Sequence, residues 1–469
     1  MTVVVGEIPE STGVLVVGAG PGGYVAALRA AQAGRRVTLV ERDRVGGTCL
    51  NVGCIPSKAL IAVADLYHRA AEGGRFGVHV ADRPDWAGVQ DHLRRSVAEL
   101  TAGVGQLLDS AGVGVVTGTA RFVGPRRVAV HDEHGMRHLE FDDCILATGS
   151  RPASLPSLPV DGVRVLDSTG ALFLAERPAS VAVVGGGYIG VELGTALAKL
   201  GVSVTVVERA ERILPELDAS LAAVVARRLR ALGVTVRTGR SADAPTAAGL
   251  VLDDGSVVEA ERIVVAVGRV PNSDDLGLEH AGVEPRPDGR LAVGPDRRLG
   301  RHLFAIGDLT DGPALAHKAT AEAEVAVAAL CGEPARFEPA AIPAVVFSDP
   351  EIATVGLTRA QADDAGLGGT AFRFPLGANA RARVAGEVAG HAEVVVDAAS
   401  TVVGVHLVGV HVSELAGEAA LAIEMAATLD DLTAVIHPHP TISEAVLEAA
   451  LGAAGRPLHV HRRPGRPAR

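Results

Sequence analysis

Two stretches of the chain repeat one order of apolar and small residues. In "VLVVGAGPGGYVAALRAAQAGRRVTLVERD" an apolar run at 14–17 meets glycines 18, 20 and 23, passes into apolar positions at helical spacing, and closes on a second apolar run ending at Glu41. In "SVAVVGGGYIGVELGTALAKLGVSVTVVERAE" the order recurs with glycines 185, 187 and 190 and ends at Glu208. A short apolar run bounded by glycine reads as a buried strand and the helical-period stretch as its crossover helix, so each segment is expected to be a strand–helix–strand unit of a parallel sheet. The acid follows the first glycine by 23 residues in both copies, which makes them two instances of one unit. Each copy has a later strand exit bearing a glycine, "CILATGS" at 144–150 and "IVVAVGRVPN" at 263–272, the second carrying Gly268. The last third reads differently: "AEVVVDAASTVVGVHLVG" is strand-like and "ELAGEAALAIEMAATL" helical, which suits an α+β unit.

The glycine spacing carries chemistry. Gly18 and Gly185 permit a tight turn, Gly20 and Gly187 let a pyrophosphate approach the backbone, and Gly23 and Gly190 let the helix pack on its strand. Phosphates would then rest on amides at a positive helix end, and Glu41 or Glu208 would accept bonds from a ribose. Two such units imply two dinucleotides, one expected to be a flavin and the other a nicotinamide. A carboxylate at Glu208 favours NAD, because the 2'-phosphate of NADP would meet like charge there. Arg209 and Arg212 follow it and are the residues that could cradle such a phosphate.

Length and composition fit this multidomain picture, with 469 residues and 48% hydrophobic content. No apolar run approaches the roughly 18 residues of a membrane span, and "MTVVVGEIPESTG" lacks the basic and apolar regions of a secretory signal, so a cytoplasmic protein with no membrane partner is expected. The formal charge of −11, from 55 acidic and 44 basic residues, argues against a nucleic-acid partner. The one basic cluster, the tail "HRRPGRPAR", reads as a solubilising end.

Only four cysteines occur, at 49, 54, 144 and 331, and such sparse usage argues against a disulfide framework. Cys49 and Cys54 stand together in "GGTCLNVGCIPSK". A disulfide there would close a loop of six residues, worth only about 2 kcal/mol by chain entropy. As a metal site the pair offers two of four ligands, and Cys144 and Cys331 stand apart from any Cys or His at finger-like spacing, so no metal is expected. Spacing alone puts a redox pair ahead of an accidental core pair and a metal pair last.

The motifs "GAGPGGYVAA", "GGTCLNVGCIPSK", "ATGS", "GGGYIGVELG", "VAVGRVPN", "LFAIGDLTDGPALAHKA" and "HPHPTISE" occur in one order along nearly the whole chain. In that set the sequence resembles the class I flavin-dependent pyridine nucleotide-disulfide oxidoreductases, and most of all their dihydrolipoamide-oxidising branch. The resemblance implies an α/β protein with two Rossmann-like domains, for FAD over 1–150 and NAD over 151–272. A segment at 273–342 would return to the flavin, and 343–469 would form an α+β dimerisation domain. It implies a redox-active Cys49–Cys54 disulfide, with Cys49 the more accessible sulfur that meets the substrate and Cys54 the one beneath the flavin. Around the FAD it places Thr48, Lys58, Gly118, Thr148, Gly149, Asp308 and Ala316, with Lys58 paired to Glu192 and Tyr188 covering the nicotinamide pocket.

A thiol centre needs a base, since a free thiol of pKa about 8.5 is only about 3% thiolate at pH 7. His439 in "VIHPHPTISEAVLEAA" precedes a proline turn, and Glu444, five residues on, can orient its second nitrogen. By resemblance these two are the acid/base pair and reach the cysteines of the other subunit of an obligate homodimer, while His437 supports the turn and Pro438 stands where relatives often carry alanine. The implied reaction is oxidation of dihydrolipoamide, free or on a lipoyl domain, with NAD reduced, in partnership with the acyltransferase core of a 2-oxoacid dehydrogenase or with a glycine-cleavage system. Competing functions fit less well. A mercuric reductase should carry a further cysteine pair near its C-terminus, and none follows Cys331. Glutathione reductases favour cations where Glu208 stands and lack the "GPALAHKA" run around His317, and a soluble transhydrogenase is expected to have lost the cysteine pair. A flavin-binding scaffold or redox sensor has no need of both that pair and His439.

Overall fold

The computed structural model describes residues 10–80 and 84–460. The signal-free start and the basic tail expected from sequence lie at its two ends, the start mostly and the tail wholly outside the described residues.

The described residues open on strand β1 (Glu10–Val17), helix α1 (Pro21–Gln32) and strand β2 (Val37–Glu41), followed by α2 (Gly47–Val52), α3 (Cys54–Ala71) and α4 (Trp86–Ser110). Strands β3 (Gly114–Thr117), β4 (Thr119–Gly124), β5 (Arg127–Asp132), β6 (Gly135–Leu146) and β7 (Ser150–Pro152) complete the first unit. The sheet order is β3-β2-β1-β6-β5-β4. β1 lies parallel between β2 and β6, and the long β6 also pairs antiparallel with β5, so one strand serves both the dinucleotide sheet and a β-meander. Alternation along β1 divides its side chains: Val14 and Val16 join Ala26 and Ala30 of α1 on one face, while Leu15 and Val17 join Phe122 and Phe141 on the other.

The second unit repeats the plan with β8 (Val165–Asp167), α5 (Ser168–Leu172), β9 (Ser180–Val184), α6 (Tyr188–Lys199), β10 (Ser203–Glu208), α7 (Ala219–Ala231) and β11 (Thr235–Thr238). A three-stranded antiparallel excursion, β12 (Ala242–Thr246), β13 (Gly249–Leu252) and β14 (Val257–Glu259), leads to β15 (Arg262–Val265) and β16 (Arg269–Pro271). Its parallel sheet runs β11-β10-β9-β15-β8. The two strand exits meet, because β7 and β16 form an antiparallel pair joining the units. Strand β17 (Leu303–Ala305) then returns to the first sheet beside β6, and α8 (Ala316–Leu330) packs on α1.

The last unit is an antiparallel sheet in the order β18-β19-β22-β21-β20. Its elements are β18 (Ala344–Val346), β19 (Glu351–Gly356), α9 (Arg359–Asp364), β20 (Thr370–Pro375), α10 (Ala380–Ala385), β21 (His391–Val396) and β22 (Val402–Gly409), then α11 (Ala416–Glu424), α12 (Leu429–Ala434) and α13 (Glu444–Ala453). Helices α11 and α13 cover the sheet over a core that includes Phe374, Val394, Leu407 and Ala449.

The helical stretch Gly47–Ala71 has the length and hydropathy, 1.4 on average, of a membrane span. It is α2 followed by α3 with a break at Gly53, where φ is −135° and ψ −107°. Lys58 and Asp65 on it pair with Glu192 and Lys199 of α6, so its ionic groups serve packing inside the protein rather than a lipid-facing surface.

Candidate active site

The two glycine turns are near copies. Gly18 and Gly185 take φ of +98° and +108°, where a side chain would be strained. A Cβ on Gly23 would strike the carbonyl oxygen of Gly18, and one on Gly190 that of Gly185, so helix and turn touch at those points. Gly20 and Gly187, the N-caps of α1 and α6, face open space: a Cβ on either would meet nothing within 4 Å. That leaves room for phosphate beside free amides at a helix N-terminus, so the residues present fit a dinucleotide at each turn. The acids match as well. Glu41 accepts from Ala19 N–H at 2.7 Å and Asp43 N–H at 2.9 Å, and Glu208 from Gly186 N–H at 2.6 Å and Ala210 N–H at 2.7 Å. Arg212, a candidate for a 2'-phosphate, is instead committed to the carbonyls of Leu214 and Pro215 at 2.8 Å each.

Gly18, Gly20, Glu41, Thr48 and Thr148 line one cleft of the first unit. Gly118, at φ +151°, donates its N–H to the Glu41 carbonyl at 2.8 Å at the cleft's outer strand. The exits close the cleft from the other side. Thr148 Oγ1 donates to the Asn272 carbonyl at 2.7 Å, Asn272 returns a bond to the Thr148 carbonyl at 2.9 Å, and Asn272 N–H meets the Gly149 carbonyl at 2.9 Å. Ser150 donates to the Asp308 carboxylate. Arg269, next to Gly268, donates to Ser150 Oγ at 2.7 Å and to its carbonyl at 2.6 Å. Ala316 begins α8 immediately beyond the Asp308 turn. Sequence reasoning missed Ser150, Arg269 and Asn272. The "ATGS" and "GRVPN" motifs contained all three, but only strand pairing shows that they bond one another.

The cysteines straddle the α2–α3 break, and Cys54 is the first residue of α3. Lys58, one turn on, pairs with Glu192 Oε2 at 2.8 Å, while the other oxygen of Glu192, a residue only 4% exposed, accepts from Phe347 N–H at 2.9 Å. The Phe347 ring lies 4.6 Å from the ammonium, a cation–π contact worth about 0.5–2 kcal/mol. All three units therefore meet at Lys58. The hydrogen bond from the Cys49 thiol draws Cys54 down to about 7 against the push of burial, with Lys58 lowering it further and Glu192 opposing. Donating that bond, together with burial, holds Cys49 well above the ordinary thiol range. Cys49 is half-buried against the core of the first unit, and Cys54 is exposed at the helix start. Tyr188 is 40% exposed at the start of α6, its phenol pushed up to about 12 by burial, with Arg269 opposing and Glu192, Asp308 and Cys54 adding to the rise.

His439 lies elsewhere in the chain. Its Nδ1 meets Glu444 Oε1 at 2.9 Å, its side chain is 70% exposed, and among the described residues no hydrogen bond links it to the cysteines. Burial raises the Glu444 carboxyl, but the Thr441 N–H and His439 outweigh this and hold it below the usual carboxylate range. His437 bonds the Val435 carbonyl at 3.1 Å and Glu418 of α11 at 2.9 Å, tying down the turn. No group of three or more metal-ligating side chains occurs among the described residues.

Two dinucleotide units stitched at a thiol pair, with a third unit bearing a His–Glu pair, define a nucleotide-dependent disulfide oxidoreductase, and the chain belongs to the pyridine nucleotide-disulphide oxidoreductase family: residues 12–323 match that family and residues 342–450 its dimerisation domain. Among curated relatives, it is similar to the dihydrolipoyl dehydrogenase of Halobacterium salinarum, at 46% identity over 97% of this chain and 99% of that one, and to that of Geobacillus stearothermophilus, at 43% over the same shares. Among solved structures, LpdA from Mycobacterium tuberculosis superimposes with a TM-score of 0.88 at 30% identity, over 94% of this chain and 99% of that one. The HOCl-induced flavoprotein disulfide reductase RclA from Escherichia coli, as its Cu(II) complex, does so at 0.86 and 26%, again over 94% and 99%.

Proposed function

We propose that this chain oxidises dihydrolipoamide to lipoamide with reduction of NAD to NADH, through Cys49, Cys54 and FAD, as a homodimer. The observation that carries this is the near full-length similarity to dihydrolipoyl dehydrogenases together with Cys49 and Cys54 set side by side at the α2–α3 break, beside the Lys58–Glu192 pair. Starting from the Cys49–Cys54 disulfide, His439 takes the proton of one substrate thiol, with Glu444 holding the imidazole through Nδ1 so that Nε2 is the working nitrogen. The substrate thiolate bonds to Cys49 Sγ, the S–S bond breaks, and Cys54 leaves as thiolate. Cys54, at the start of α3 one turn before the Lys58 ammonium, is placed to leave as thiolate, and the likeness to the family gives Cys49 the mixed disulfide. His439 releases its first proton to solvent and takes that of the second substrate thiol, and the resulting thiolate attacks the substrate sulfur of the mixed disulfide. Lipoamide departs, the Cys49 thiolate takes the proton from His439, and the pair is left reduced by two electrons. When bound, FAD supplies the acceptor for that electron pair and NAD its destination.

Gly18, Gly20, Gly23, Glu41, Thr48, Gly118, Thr148, Gly149, Asp308 and Ala316 would hold FAD, with Lys58 near its reacting edge. Gly185, Gly187, Gly190, Glu208 and Gly268 would hold NAD, with Tyr188 over the pocket and Glu192 fixing Lys58. Support for NAD over NADP comes from the Glu208 carboxylate and from Arg212 being spent on backbone carbonyls. In the dimer the exposed His439 and Glu444 of one protomer would serve the cysteines of its partner. The formal charge of −11 suits docking on a basic segment of the acyltransferase core of a 2-oxoacid dehydrogenase in the cytoplasm. A panel of lipoamide, glutathione disulfide, thioredoxin and mercuric ion with NADH tests the substrate. Lipoamide should be reduced fastest, and a faster rate with any of the other three would replace it.

A further inference from the structure

Behind the turn that carries Asp308 lies a set of buried charges that no step above uses. Glu322 of α8 is fully buried, and it accepts from Gly307 N–H at 2.6 Å and from Arg297 at 2.9 Å. Lys318, one helical turn earlier and also buried, donates to the Gly307 carbonyl at 2.9 Å, to Thr310 Oγ1 at 2.8 Å and to the Glu322 carboxylate at 3.2 Å. An anion thus holds the N–H of Gly307 and a cation its carbonyl, one residue before Asp308. Thr310 Oγ1 lies between them, 2.8 Å from Glu322, and the Arg297 guanidinium stacks on Phe337 at 4.9 Å. Burial pulls Lys318 below the ordinary ammonium range, and Glu322 and Asp308 oppose that pull.

Sealing three charges in a low-dielectric interior is no route to stability by itself, because apolar side chains of the same volume are often as stable or more so. The excess of one positive charge behind Asp308 and the first turn of α8 therefore calls for an electrostatic role. We infer that Arg297, Lys318 and Glu322 are positioning residues that fix the Asp308 turn and set the reduction potential of the bound flavin, the two cations raising it and the carboxylate lowering it. The inference rests on the proposed FAD site. A flavin gains negative charge on reduction, so a fixed positive charge nearby favours the reduced form and a fixed negative charge the oxidised one.

The test is equilibrium reduction of the purified holoprotein against a dye of known potential, followed by flavin absorbance, with thermal unfolding in parallel. At a given dye ratio, Lys318→Met and Arg297→Met should shift the oxidised-to-reduced flavin ratio toward oxidised on the order of tenfold, and Glu322→Gln toward reduced by a similar factor. Opposite signs are the signature, since a purely structural cluster would lower the melting temperature in all three variants without separating their potentials. Shifts of one sign in all three, or none, overturn the inference. Should Glu322→Gln fail to fold, an unchanged or raised potential in both cation variants does the same. A wild-type protein that binds no flavin would instead remove the FAD site itself, which separates the two failures.

Discussion

At the residue scale the chemistry turns on one thiol. Cys54 gains its low pKa from the Cys49 hydrogen bond and from Lys58, and those contributions outweigh burial and Glu192. The sign follows: a lowered pKa keeps the thiolate at a pH where an ordinary cysteine, of pKa about 8.5, is protonated. In the reduced protein, alkylation of Cys54 by iodoacetamide should reach half its maximal rate near pH 7, and Lys58→Met should move that midpoint upward. A midpoint near that of a free thiol, or one indifferent to Lys58, would contradict the electrostatics drawn here. Of these residues the sequence exposed Cys49, Cys54, Lys58 and Glu192 through their motifs. It could not expose Phe347, whose backbone N–H and ring reach Lys58 and Glu192 from a loop 155 residues beyond Glu192.

At the scale of elements, the periodicity of apolar residues was enough to find both strand–helix–strand units, because their strands are buried on two faces and their glycines mark every turn. Pairing between the exits β7 and β16 was not legible, since three-residue strands carry no period of their own. The Lys318–Glu322 pair was hidden for a different reason. Charges four apart on a helix ordinarily read as a solvated face, and only the third partner, Arg297, drawn from a distant loop, shows that this face is buried. The α2–α3 stretch has the mean hydropathy of a span, but one glycine with non-helical geometry makes it two helices. The two glycine turns should fail separately. Gly23→Ala should empty the flavin site, seen as loss of visible absorbance, whereas Gly190→Ala should leave flavin bound and raise the KM for NAD at least about tenfold, a collision with backbone costing more than the roughly 1.4 kcal/mol that tenfold requires. Flavin loss in the second variant would mean that the turns are not independent.

For the whole molecule, the matched dimerisation domain supports a homodimer, and the proposed role of the exposed His439–Glu444 pair is to complete the site of the partner protomer. Cys49→Ser and His439→Ala homodimers should each be impaired, the histidine variant by about 100-fold to 10,000-fold. After dissociation and reassociation as an equal mixture, half the dimers pair one variant with the other and carry one intact site each, so about a quarter of wild-type activity should return. No recovery, with mixed dimers demonstrated, would place both functions within one chain. The sequence reached this arrangement only through its likeness to a family, because nothing in the order of residues tells which subunit a histidine serves.

The proposed route of electrons is tested most directly by NAD reduction with dihydrolipoamide in wild type, Cys49→Ser and Cys54→Ser, with flavin absorbance recorded on the same samples. Wild type should turn over, and both variants should keep their flavin yet reduce no NAD with this substrate. Normal turnover in either variant would show that the reaction does not pass through the pair.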